Sequence, residues 1–158
     1  MFIASNKTMM PKHLSINRAR AKPGIVRGVM KPPEINLLFA WAWIVAGFAS
    51  GLVMGLFFNR EDWLGGYTSL KRRLFRLAHI SFFGLGAVNL MFYFTARYAL
   101  GASVWQEVAA WGFVVGGITM PLACVIMARW TQAKAVFAVP VTSLLLSGAL
   151  MIWELAKL

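Results

Sequence analysis

The dominant pattern in the sequence is a series of four long apolar segments separated by short polar stretches. The segments cover residues 36–58, 77–96, 108–128 and 135–155. Each holds about twenty residues, the length that an α-helix needs to cross the hydrocarbon core of a membrane. Their apolar residues do not alternate with the period of two that a barrel strand would show. The pattern therefore predicts an all-α integral membrane protein, with a four-transmembrane-helix bundle over residues 35–158.

The first 34 residues differ from the rest of the chain. They hold seven Lys or Arg, four prolines and no acidic residue before Glu34. A free segment of this composition is disordered. We therefore expect residues 1–34 to form a basic extended arm that lies along a partner protein or the lipid surface. The arm lacks the apolar run of a secretory signal peptide, whereas its Arg-rich, acid-poor start is typical of organellar transit peptides.

Composition and charge favour a membrane over nucleic acid. The chain is 59% hydrophobic and 13% charged, which leaves too few charges to cover a soluble surface. Its net charge of +11 is concentrated at the ends of the apolar segments, as expected for contact with anionic phospholipids. We expect a multi-pass protein of a bacterial inner membrane or, alternatively, an organellar inner membrane. The count of Lys and Arg is nearly balanced, nine against seven, and the basic first and third loops favour the opposite orientation, but the cost of translocating the seven charges of the arm favours an N-terminus on the inside.

Residues that could carry catalysis are few. The single cysteine, Cys124, excludes an internal disulfide, and no CxxC or CxxCH motif supports an iron–sulfur cluster or covalently attached haem. Two histidines, His13 and His79, and five scattered acids do not form the ligand pattern of a catalytic metal site. We expect no catalytic residue, no metal site and no catalytic activity of the chain on its own.

The second apolar segment carries the best candidate site for a cofactor. His79, Asn89 and Tyr93 fall on one face of a helix, and Arg76 extends that face by one turn. A polar face is expensive in lipid, so it should lie against the bundle or a partner. Asn89 and Tyr93 suit hydrogen bonds between helices as well as ligand contacts.

His79 itself admits several roles. It can ligate haem b or the magnesium of chlorophyll, bond a quinone carbonyl, relay a proton, or serve as a hydrogen-bonded structural residue. A haem held by two histidines would need a second intramembrane histidine, which this sequence does not contain. The sequence alone leaves these roles open.

Two further sets of residues point to contacts rather than chemistry. Small residues recur at every fourth position in the first and third segments, a spacing that lets helices approach closely, either within the chain or with another subunit. The glycines are Gly47, Gly51, Gly55, Gly112 and Gly116. A basic cluster before the second segment suits phosphate head groups, cardiolipin or an acidic partner. Its members are Lys71, Arg72, Arg73 and Arg76.

Together these features predict a non-catalytic accessory subunit of a larger membrane complex, in respiratory or photosynthetic electron transfer. Its expected partners are other membrane subunits and anionic phospholipids, with no nucleic acid. The alternative is a small haem- or quinone-binding membrane protein that uses His79.

Overall fold

The computed structural model describes residues 31–158 and confirms the predicted fold class. Four helices contain most of these residues, and no strand occurs among them. All four are long and apolar enough to cross a membrane, so the chain is a multi-pass membrane protein. The helices are α1 (Pro32–Leu56), α2 (Leu70–Tyr98), α3 (Val104–Arg129) and α4 (Ala138–Leu155), with short 3₁₀ turns at Trp63–Gly65 and Lys134–Phe137. The contacts predicted for residues 1–30 of the arm lie outside this range.

Helix α1 begins inside the segment predicted to be an extended arm. Pro32 and Pro33 occupy its first two positions, where a missing backbone N–H costs nothing and the fixed φ already suits a helix. The carboxylate of Glu34 accepts the backbone N–H of Lys31 at 3.2 Å. The two prolines therefore start the first helix four residues before the predicted span.

Helices α2 and α3 also begin earlier than their apolar segments, and serines cap both. The Oγ of Ser69 accepts the backbone N–H of Arg72 at 3.2 Å. The Oγ of Ser103 accepts the N–H of Gln106 at 3.1 Å. Each cap satisfies an N–H that the helix leaves unpaired. Both helices therefore include polar residues at their N-terminal ends, which hydropathy alone does not assign to a membrane span.

The bundle is open rather than closed. Helices α1, α2 and α3 pack together, whereas the backbone of α4 lies against α3 and approaches neither α1 nor α2. One end of the bundle, the first end, holds the start of α1 and α3 and the finish of α2 and α4. The opposite end, the loop end, holds the connection 57–69. An apolar core near the first end joins Phe92, Ala96, Ala109, Ala110, Phe113 and Met151.

The glycines of α3 receive helix α4. A Cβ atom on Gly112 would collide with the Oγ of Ser147, and one on Gly116 would lie 2.5 Å from Leu144. The Oγ of Ser143 donates to the carbonyl of Gly112 at 2.7 Å. The α3 glycine face therefore serves packing within the chain.

The glycines of α1 face α2, so the small-residue faces of the first and third spans do not pair with each other. A Cβ on Gly47 would lie 2.8 Å from Phe83, and one on Gly51 would lie 2.9 Å from Cε1 of His79. Gly55 has no neighbour within 4 Å of such an atom. Two members of the run thus pack within the chain, and the third packs against no described residue.

Candidate ligand site beside His79

His79 lies near the third turn of α2, part-buried against α1. Its Nδ1 is 2.9 Å from the Oγ of Ser50, and that Oγ is also 2.9 Å from the carbonyl oxygen of Gly47. The ring meets Phe83 edge to face at 5.5 Å between centroids. Because Gly51 has no side chain, the imidazole can lie directly on the backbone of α1. The glycine and the serine of α1 together fix the position of the ring.

The proton on Ser50 determines what the second ring nitrogen can do. If the hydroxyl donates to Gly47, Nδ1 carries the imidazole proton, donates to Ser50 and leaves a lone pair on Nε2. If the hydroxyl donates to Nδ1, the imidazole proton sits on Nε2. Neither arrangement moves a heavy atom. Nε2 can therefore accept or donate one hydrogen bond.

The second ring nitrogen of His79, Nε2, has no hydrogen-bond partner among the described residues. The one buried side-chain nitrogen or oxygen without a partner in residues 31–158 is Oδ1 of Asn36. His79 bonds to described residues through Nδ1 alone. Nε2 therefore makes no hydrogen bond to a described residue, and the ring presents carbon atoms to the cavity beside it.

A cavity of about 560 Å³ lies beside this histidine, in the half of the bundle nearest the loop end. Helices α1, α2 and α3 form its sides, and four aromatic residues contribute to the wall. The only polar side chains besides tryptophan in that lining are Ser50 and His79. A mostly apolar cavity with a few polar groups in one place is the usual form of a small-molecule site. The aromatic residues are Trp43, Trp63, Phe75 and Phe82.

The cavity opens toward the lipid. Val53 of α1 and Ile118, Leu122 and Val125 of α3 line it, and all four side chains are also exposed on the surface of the bundle. In a membrane-spanning chain an exposed apolar side chain at this depth faces hydrocarbon. Part of the cavity is therefore bordered by side chains of α1 and α3 that also face lipid.

The inner end of the cavity is fixed by a proline and a tryptophan. Pro121 has no N–H, so the α3 carbonyl of Gly117, four residues earlier, loses its helical partner. The indole Nε1–H of Trp43 donates to that carbonyl at 3.0 Å. Trp43 also stacks on Phe39 at 4.1 Å between centroids. The proline in α3 thus fixes the position of an aromatic wall supplied by α1.

At the loop end, the indole of Trp63 borders the cavity, and the side chain of Arg72 holds that indole in position. The guanidinium of Arg72 is 5.6 Å from the Trp63 ring and 5.0 Å from the Tyr67 ring. Its Nη2 donates to the carbonyl of Phe58 at 3.0 Å. The loop turns sharply at Leu64, Gly65 and Gly66, whose φ values are 57°, 84° and 91°. We call Phe58, Trp63, Tyr67 and Arg72 the loop clamp.

The basic cluster does not act as one surface. Arg72 is only 4% exposed and is used within the chain. Arg76 lies over Tyr67 at 5.0 Å, whereas Lys71 and Arg73 are exposed. The role predicted for the cluster in contacting lipid or a partner therefore rests on the two exposed members.

The predicted polar face of α2 is not brought together in one site. Asn89 lies ten residues from His79, about 15 Å along the helix. It is fully buried between α1, α2 and α3, where its Oδ1 accepts from Nδ2 of Asn36 at 2.7 Å. Its own Nδ2 donates to the carbonyl of Leu85 at 2.8 Å. Asn89 is thus a hydrogen-bonding link between helices in this structure.

Tyr93 lines a separate cavity of about 370 Å³ at the first end. Charged side chains of both signs surround that cavity, so it offers no single preferred charge to a ligand. They are Lys31, Glu34, Arg97 and Glu107. Nearby, Glu154 is buried, accepts from Ser103 and pairs with Lys157 at 2.6 Å. Tyr93 and His79 therefore belong to different sites.

Three residues of the His79 site were not among the sequence-based candidates. Ser50, Trp43 and Trp63 come from α1 and its following loop, and no spacing within a single helix connects them to His79. Pro121 was the available signal, because a proline inside a transmembrane helix leaves a carbonyl that some donor must satisfy. The sequence does not reveal which donor reaches it.

Replacing Gly51 with Leu should displace His79, because the new side chain would occupy the space of the imidazole. We expect a loss of about 1–3 kcal/mol in stability, measured by thermal melting in detergent. Gly55→Leu is the matched control, since nothing lies within 4 Å of a Cβ there. Equal melting temperatures for the two variants would contradict the assigned contact.

Searches against protein-family models, curated proteins and solved structures gave no match for this chain.

Proposed function

We propose that this chain is a small membrane protein that binds a lipophilic redox cofactor, of the quinone or haem class, beside His79. The observation that carries the proposal is the apolar cavity lined by four aromatic residues beside His79, a histidine whose Nδ1 is held by Ser50. A histidine oriented by a hydrogen bond at one ring nitrogen is a recurring feature of cofactor ligands. The opening toward lipid favours a ligand dissolved in the bilayer.

The test is cofactor retention by the full chain after purification in mild detergent, with quinone and haem added during solubilisation. Wild type should retain one of them at a stoichiometric level, measured by absorbance and by solvent extraction. His79→Phe should lose most of it, since the ring keeps its bulk but loses both nitrogens. Ile80→Phe, at an exposed neighbouring position, should behave as wild type. Failure of wild type to retain either compound would contradict the proposal.

A second candidate is an accessory subunit of a larger membrane complex in electron transfer. The observation in its favour is the open bundle, in which the backbone of α4 approaches α3 but neither α1 nor α2 among the described residues. The exposed Lys71 and Arg73 would meet anionic phospholipids or an acidic partner at the loop end. Identification of stoichiometric partners after mild detergent extraction tests this candidate, and purification of the chain alone would count against it.

A further inference from the structure

We infer that the cavity at the first end binds the head group of a zwitterionic phospholipid, one that carries a phosphate and a primary amine, as phosphatidylethanolamine does. This site is separate from the cavity beside His79 and goes beyond the proposed function. Three features carry the inference: charges of both signs that do not pair, a buried amide that faces the cavity, and the depth of the cavity in the membrane.

The charged side chains around this cavity do not neutralise one another. Two are positive and two are negative, yet the ion pair in residues 31–158 joins Glu154 to Lys157, neither of which lines the cavity. Both signs are therefore available to a ligand that itself carries a negative and a positive group. The four side chains are Lys31, Glu34, Arg97 and Glu107.

A buried amide without a partner faces the same cavity. Gln106 lines the cavity and is only 5% exposed. Its backbone N–H is bonded to the Ser103 cap, but its side-chain amide has no hydrogen-bond partner among the described residues. The one fully enclosed side-chain oxygen or nitrogen without a partner in residues 31–158 belongs to Asn36, so the Gln106 amide still reaches the open space. Such an amide needs a ligand or water in place of its lost hydration.

The groups around the cavity match the two ends of the head group. The planar guanidinium of Arg97 can donate two parallel N–H bonds to a phosphate. The carboxylate of Glu107 can accept from a primary ammonium, and the Gln106 amide can donate to the one or accept from the other. The cavity holds about 370 Å³, which suits a compact polar group and leaves the acyl chains in the bilayer.

The cavity lies at the depth of the lipid head groups. It is at the first end of the bundle, where α1 and α3 begin. Trp105 and Trp153 are exposed at this same end, and exposed tryptophans mark the level where hydrocarbon meets the head groups. A phospholipid can therefore place its head group in the cavity without leaving its leaflet, which favours a lipid over a soluble compound with the same charges.

The carboxylates favour a primary amine over other common head groups. An anionic head group without an amine would bring its phosphate toward Glu34 and Glu107 with nothing to offer them, and like charges repel. A choline group is fully methylated and has no N–H to donate to a carboxylate. Phosphatidylethanolamine is the common phospholipid that satisfies both signs with hydrogen bonds.

The test uses the full chain, purified and delipidated in mild detergent. Phosphatidylethanolamine, phosphatidylcholine and phosphatidylglycerol with the same acyl chains are added separately, and native mass spectrometry measures the fraction of chain that carries one lipid. We expect phosphatidylethanolamine to bind about tenfold more tightly than either of the others, the equivalent of one hydrogen bond to a charged group.

Two charge variants separate the ends of the head group. Glu107→Gln should abolish the preference for phosphatidylethanolamine over phosphatidylglycerol, whereas Arg97→Gln should weaken phosphatidylethanolamine binding about tenfold. Both side chains are exposed, so neither change disturbs the packing of the bundle. Glu61→Gln and Arg129→Gln make the same changes at exposed positions of the loop end and should leave lipid binding as in wild type.

A third variant tests the buried amide. Gln106→Leu keeps most of the side-chain volume and should weaken phosphatidylethanolamine binding about threefold or more. Its melting temperature should not fall, because the amide bonds to no described residue. A lower melting temperature with unchanged lipid binding would show that the amide serves the fold and would count against the site.

A soluble competitor distinguishes the membrane from water as the source of the ligand. Glycerophosphoethanolamine has the same charged groups without acyl chains, and at equal concentration it should not displace the lipid. Displacement would overturn the assignment to a membrane lipid. Equal binding of the three phospholipids by wild type, or a preference that both charge variants retain, would overturn the inference as a whole.

Discussion

Replacing Gly112 with Leu should separate α4 from the rest of the protein. A Cβ at this position would already collide with the Oγ of Ser147 and lie 3.5 Å from the carbonyl of Ser143. Among the described helices, only α3 lies close to the backbone of α4, so α3 supplies most of the packing that holds α4 in place. We expect a loss of about 2–3 kcal/mol or more, seen as a lower melting temperature and faster proteolysis between α3 and α4.

Two comparisons identify the collision as the cause. Gly148→Leu places the same side chain on α4 where nothing lies within 4 Å, and it should melt like wild type. Gly112→Ala should destabilise less than Leu, and Ser147→Ala should partly rescue it by removing the Oγ atom. Additive losses in the double variant would show that these residues do not meet.

Arg72→Ala should open the loop clamp. The substitution removes a charge-assisted hydrogen bond to Phe58 and cation–π contacts with Phe58, Trp63 and Tyr67. Such contacts are each worth about 0.5–3 kcal/mol, so we expect a total loss of about 2–4 kcal/mol. Trypsin should then cut faster after Arg60, which lies in the same loop, and cofactor retention should fall because Trp63 borders the cavity.

Arg73→Ala is the matched control for Arg72→Ala. It removes the same charge from the next position on α2, where the side chain is exposed. A surface change of this kind should alter stability by no more than about 0.5 kcal/mol. Arg72→Lys should fall between the two, since an ammonium keeps the charge but loses the planar group that lies over aromatic rings. Equal trypsin cleavage in all three variants would contradict the clamp.

The sequence predicted the fold because membrane crossing depends on a property that is local to each segment. Twenty apolar residues require a helix in hydrocarbon, whatever the helix touches. The helix ends were less predictable, since Pro32 and Leu70 begin their helices in polar stretches that hydropathy does not register. There the signals are a proline at the first position and a serine cap.

The candidate site was only partly predictable for a related reason. His79 stood out because a polar residue in a membrane span needs a partner, but its partner Ser50 lies 29 residues earlier on a different helix. The polar residues do share one face of α2, but Asn89 is hydrogen-bonded to Asn36 on α1, away from His79. Periodicity tells which residues share a face of one helix. It does not tell which neighbour meets each turn of that face.

The arrangement of the bundle has a consequence for how the protein is made. Helix α2 packs on α1, α3 on both α2 and α1, and α4 on α3. Each of α2, α3 and α4 therefore follows a helix on which it packs, and only α1 has to wait for a later segment of the chain. All residues that line the cavity beside His79 come from the part of the chain that ends with α3, so the cavity can form before α4 is synthesised.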